Sequence, residues 1–146
     1  MPIYFHKEDA SIALKKIKVI KRWLEDVVSF YNKEMGVINV IFCSDDFLLK
    51  INKEYLNHNY LTDIITFNFC EKNEISGDLF ISIDRVKDFS KTNKLTFVNE
   101  LHRVIVHGVL HLCGFNDKST KEKQKMRKLE NFFLEKLKTL NTLKIK

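Results

Sequence analysis

The chain contains no run of about 18 uncharged apolar residues, the least that a helix needs to cross a bilayer. Its opening, MPIYFHKED, has no apolar stretch behind a basic cluster and so lacks the form of a secretory signal. Cysteine is scarce: Cys43, Cys70 and Cys113 are odd in number, widely spaced and never arranged as CxxC. That excludes a disulfide framework and a thiolate zinc ribbon, and leaves each thiol as a small core residue in a reducing cytoplasm. There is no internal repeat, linker or low-complexity segment. With 146 residues, 45% of them apolar and 30% charged, residues 1–146 read as one globular domain able to bury its own core.

The net charge of +6 is unevenly spread. Residues 36–102 carry seven basic and ten acidic side chains, whereas residues 103–146 carry eleven and four, a net of +7. A basic field of this size concentrates a polyanion such as RNA, although a lysine-rich solvated helix gives the same count.

Pattern divides the chain into four strands and about five helices. Residues 3–6 form a short first strand. Apolar positions at Ile12, Leu14, Ile17, Ile20, Trp23, Leu24, Val27, Val28 and Tyr31 have a helical period, predicting a helix over 7–35 that Gly36 ends. VINVIFC (37–43), 62–70 and 78–84 read as strands, with EKNEISG as a hairpin loop. Ser44 or Asp45 caps a helix running to about residue 55. A short helix covers 85–91, and Thr96 caps one over 97–112. Thr120 opens a last helix with Met126, Leu129, Phe132, Phe133 and Leu137 on one face, and NTLKIK at the end frays. The expectation is an α+β domain, a small mixed four-stranded sheet covered by about five helices.

The chemistry is concentrated in HGVLHLCGFND, residues 107–117. Four residues apart on a helix, His107 and His111 project from one face, one turn from each other, the spacing with which two imidazoles hold one zinc. Gly114 stands where the helix must stop, and the chain returning from it can bring Asp117 to the same ion. Two neutral histidines on so apolar a helix need a partner, and a metal supplies one. His102 lies one turn too early and Cys113 is rotated off the histidine face. Three protein ligands with an open fourth position is the arrangement of a catalytic zinc.

The frame HxxxHxxGxxD is shared with metal-dependent peptidases of the metzincin type, but their proton-accepting glutamate follows the first histidine, where this chain has Gly108. With glycine there, the segment resembles the signature HGxLHLxGxxH of the YbeY family of bacterial endoribonucleases. NKEYLNHNYLTDIITF (52–67) and GDLFISID (77–84) resemble two further blocks of that family, and the similarity runs from about residue 37 to 137.

The resemblance implies an α+β fold and one bound metal per chain, usually taken as zinc. It also implies a single-strand-specific endoribonuclease acting in 16S rRNA 3′-end maturation, ribosome biogenesis and ribosome quality control, with rRNA and ribosomal particles as partners, in the cytoplasm. Neither a membrane nor DNA is expected as a partner. His107 and His111 become ligands, and Asp117 stands where the family most often has a third histidine. An arginine common after the tyrosine in the family is replaced by Leu56, leaving Lys121 and Lys125 as candidates for holding RNA. Asp63 and Asp78 fall in shared blocks, where a carboxylate can orient a histidine or accept a proton. The simpler reading of each is a cap or bridge at a strand end, and His58 reads as a surface loop residue. No catalytic residue is identified. Two alternatives stay open, a metallopeptidase-like hydrolase and a non-catalytic ribosome-associated RNA-binding factor.

Overall fold

The structure, a computed structural model, describes residues 2–58 and 61–142. Nine elements follow one another: β1 (Ile3–Lys7), α1 (Ile17–Phe30), β2 (Glu34–Cys43), α2 (Asp45–Leu56), β3 (Ile64–Asn68), β4 (Glu74–Ser82), α3 (Ile83–Thr92), α4 (Phe97–Leu112) and α5 (Thr120–Thr142). The strands form a mixed sheet in the order β1-β2-β4-β3, parallel except for the β3–β4 hairpin. This is the expected α+β domain.

Alternation of side chains sorts the sheet into two faces. Ile38, Val40 and Phe42 of β2, with Ile75, Leu79 and Ile81 of β4, turn to the main core shared with α1, α4 and α5. Cys43, Ile65, Phe67 and Phe80 turn the other way, against Leu48 and Ile51 of α2. The helices of the main face are tied together by Trp23, whose indole N–H donates to the Phe133 carbonyl at 2.7 Å.

Several boundaries differ from the sequence reading. The first helix starts at Ile17 rather than residue 7, because Lys16 adopts a left-handed conformation (φ 56°) that a continuing helix cannot contain. Ile12 is buried without being helical, so its apolar character reflects packing and not period. Gly36 is no helix stop: it lies inside β2, beside a register shift between Met35 and Ile38. Within EKNEISG only Lys72 and Asn73 turn, Glu71 bridges to Glu74, and Glu74 already begins β4. Of the face expected for the last helix, Leu129 is only half-buried and Phe132 is exposed. Of the cysteines, Cys43 is buried and Cys70 and Cys113 are half-buried, all three free. Asn141 and Thr142 are helical rather than frayed; residues 143–146, and residues 59–60 of the polar connection, lie outside the described residues.

Candidate metal centre

Helix α4 carries the site, and both its ends are fixed by local chemistry. Thr96 caps the start, its hydroxyl accepting from the Asn99 N–H at 3.1 Å. At the far end the Phe115 N–H donates to the Leu110 carbonyl and the Gly114 N–H to the His111 carbonyl, at 3.1 and 3.0 Å. Those two bonds form a Schellman motif, which requires a left-handed residue after the cap; Gly114 supplies it with φ 106°. The chain then turns back through residues 115–119. A capping box stops it there: Ser119 Oγ accepts from the Glu122 N–H at 3.1 Å, and Glu122 Oε1 accepts from the Ser119 N–H at 3.0 Å. Asp117 is thereby held between two rigid helix ends, facing α4.

The three side chains singled out by sequence meet. His111 Nε2 lies 3.0 Å from His107 Nε2, His107 Nε2 lies 3.3 Å from Asp117 Oδ2, and His111 Nε2 lies 3.5 Å from Asp117 Oδ1. Among the described residues they form the one group of three or more such side chains able to share an ion. A tetrahedral zinc with bonds of about 2.0–2.1 Å places its ligand atoms about 3.3 Å apart, so the donor set fits in both chemistry and spacing.

Sequence reasoning passed over the residue that completes the arrangement. Glu130 of α5 is buried, and its Oε2 lies 2.7 Å from His107 Nδ1, which fixes the ring so that Nε2 points at Asp117 and His111. Carboxylate-to-histidine bonds of this type orient and strengthen metal ligands. Glu130 is in turn held by Arg103, whose Nη1 donates to Oε1 at 3.0 Å, while its Nη2 donates to Asn131 Oδ1 at 2.8 Å. One signal was available: Glu130 falls in the apolar stripe Met126, Phe133, Leu137, and a carboxylate in such a stripe needs a buried partner.

The electrostatics follow from these contacts. Burial alone lowers the His107 pKa, but the bond to Glu130 and the charges of Glu130, Asp117 and Asp63 outweigh it, leaving His107 above the ordinary imidazole range. Burial, then the neighbouring His107, holds His111 below that range against the pull of Asp117. The two imidazoles are thus pushed in opposite directions although their Nε2 atoms lie 3.0 Å apart, and a divalent ion bound between them would compete with protons for these nitrogens.

Two cavities meet at the triad. The first, of about 220 Å³, is lined on the α4–α5 side by Arg103, Glu130, Lys123 and Arg127; the second, of about 480 Å³, by Asn52, Leu56, His58 and Thr66 of α2, its loop and β3. Asp63, His107 and Asp117 border both. Asp63 is open to the cleft, and the protein crowding its carboxyl raises its pKa, opposed by His107. Its backbone carbonyl also accepts from the Ser82 N–H at 2.9 Å, a bond that does not involve the carboxylate. Asp78 is not at a strand end: it sits within β4, away from both cavities, accepting from Asn39 Nδ2 at 3.1 Å. Lys121 and Lys125 are exposed, and Lys125 Nζ lies 5.3 Å over the Phe115 ring. The cations that line the first cavity are Lys123, Arg127 and Arg103.

Gly108 has a separate cause. A Cβ there would come within 2.8 Å of Ile64 Cδ1 and 2.9 Å of both Leu79 Cδ atoms, so the glycine lets α4 approach the sheet. A glutamate at this position would enter the core.

Comparison with known proteins bears on the same residues. Residues 3–138 match the sequence profile of the family described as Endoribonuclease YbeY. The protein of that name from Parabacteroides distasonis is 47% identical over 131 residues, 90% of this chain and 92% of the relative. The one from Cytophaga hutchinsonii is 48% identical over 130 residues, covering 88% and 91%. Among solved structures, the solution structure of a Thermotoga maritima protein superposes with a TM-score of 0.66 at 25% identity, over 92% of this chain and 88% of that one.

Proposed function

Because the chain belongs to the YbeY family of endoribonucleases, we propose that it is a metal-dependent hydrolase that cleaves single-stranded RNA at the His107, His111 and Asp117 centre. The observation that carries this reading is the convergence of two imidazole nitrogens and a carboxylate at 3.0–3.5 Å, with Glu130 behind His107. Zinc is the ion the donor set favours, one per chain. Such an ion would polarise a phosphodiester and make water a usable nucleophile near neutral pH.

The residues around it divide the remaining work. Glu130 keeps the Nδ1 proton of His107 and so leaves Nε2 free to ligate. Lys123 and Arg127, on the wall of the cavity that His107 and Asp117 border, receive phosphate. Asp63, bordering both cavities with a raised pKa, takes the proton of the attacking water or of the neighbouring ribose hydroxyl. The biological setting carried by this reading is the 3′ end of 16S rRNA, in ribosome biogenesis and quality control, on ribosomal particles in the cytoplasm. The basic C-terminal third, with a net of +7, supports a polyanionic substrate.

The packing at Gly108 weighs against the metallopeptidase alternative, since the proton acceptor of that chemistry has no room. End-labelled RNA, single-stranded and as a duplex, incubated with zinc-loaded protein is the test. Cleavage of the single strand alone, abolished by chelator and in His111→Ala, is expected. Peptide hydrolysis without RNA cleavage would give the peptidase reading its place, and tight metal binding without cleavage under any divalent ion would leave an RNA-binding factor.

A further inference from the structure

On the flank of α5 opposite Lys123 and Arg127, four aromatic rings form a continuous row with a lysine at each end. Lys125 Nζ stands 5.3 Å over the Phe115 ring, and Phe115 packs on Tyr31 with centroids 4.9 Å apart. Tyr31 meets Phe30 at 5.1 Å, and Phe30 meets Phe132 at 5.5 Å. Lys136 Nζ then lies 4.8 Å over Phe132 and 5.9 Å over Phe30. Phe115, near one end of the row, is two residues from Asp117 in the chain, and Phe132 and Lys136 at the other end belong to α5.

Two of these rings are too open for core residues: Phe30 is 53% exposed and Phe132 43%. Exposed apolar surface of this kind, held rigid by edge-to-face packing and flanked by ammonium groups, needs an occupant with flat apolar faces and negative charge. Spacing extends the charged edge, because Lys121, Lys125, Lys128 and Lys136 recur on one side of the helix at intervals of four, three and eight. Glu135, on the same helix, is tied to Lys138 at 3.0 Å.

We propose that this surface is a second contact for single-stranded RNA, with bases stacked on Phe30 and Phe132 and phosphates held at Lys125 and Lys136. It rests on the reading of the chain as a single-strand endoribonuclease and adds where the strand runs once outside the cleft. Base stacking on aromatic rings accepts any sequence, and a duplex, its bases already stacked, cannot use it.

The test is fluorescence anisotropy with a labelled 2′-O-methyl RNA single strand on the full chain, across a salt series. Phe132→Ala should weaken binding about tenfold, the loss of one stacked base. Lys125→Gln and Lys136→Gln should each flatten the slope of log affinity on log salt by about 0.7, one phosphate contact on a single strand. Should Phe132→Ala fail to fold, the two exposed lysines decide the matter alone. Unchanged affinity and slope in both lysine variants would overturn the proposal. So would unchanged RNA binding together with lost sedimentation on phosphatidylglycerol vesicles, which would make the surface a membrane contact. Metal content in the same samples keeps this apart from the nuclease reading, since a chain without metal that still shows the losses upholds the surface while that reading fails.

Discussion

Glu130 Oε2 stands 2.7 Å from His107 Nδ1, a contact that reaches across 23 residues of sequence from α5 to α4. It gives the imidazole one orientation and presents Nε2 to the other two donor atoms. Arg103 secures Glu130 from the opposite side at 3.0 Å, so the ring, the carboxylate and the guanidinium act as one rigid support.

Glu130→Gln keeps an acceptor for His107 but removes its charge. Zinc affinity, read by competition with a chromophoric chelator, should fall about 10- to 100-fold while the fold persists. Equal affinity in the variant would show that Glu130 only fills space.

Gly108→Ala sets two effects against each other. Alanine gains about 1 kcal/mol of helix propensity over glycine, but overpacking a filled core costs about 1–3 kcal/mol. The contacts of 2.8–2.9 Å to Ile64 and to Leu79, which is fully buried, put the larger cost first. The midpoint of thermal unfolding should drop by several degrees. A rise would mean that the sheet yields to α4.

His102 predicts a pH dependence. Burial beside Trp23 lowers its pKa from the ordinary 6.5, so the unfolded chain binds its proton first as pH falls. The contribution is whole above 6.5 and is lost as pH falls from there through the lowered folded value. In His102→Gln the drop in midpoint between pH 7.5 and pH 5 should be smaller than in the natural chain. An identical drop would assign the acid sensitivity to other groups.

What the sequence disclosed was whatever depends on neighbours in the chain. The cap at Thr96, the stop at Gly114 and the i, i+4 histidines are local, and α4 was legible to the residue. Glu130 was not, because its reason for being in an apolar stripe is a histidine on another helix. The early start expected for α1 came from Ile12 and Leu14, which pack against the core from irregular chain. Gly108 read as a missing catalytic base; its cause is the approach of α4 to Ile64 and Leu79, which only the folded chain displays.

Asp117→His should retain or tighten zinc binding in the same chelator competition. The position is held from both sides by the Gly114 turn and the Ser119 capping box, so an imidazole is delivered to the same point. Loss of the metal would mean that Asp117 serves another purpose than ligation.

The central claim is that His107, His111 and Asp117 hold a divalent ion. Elemental analysis of the tag-free protein, purified without chelator, tests it most directly, with His111→Ala beside it. The account predicts about one zinc or other divalent metal per chain, absent from a His111→Ala variant that still folds. Folded natural protein without metal, or a variant with undiminished metal, would contradict it.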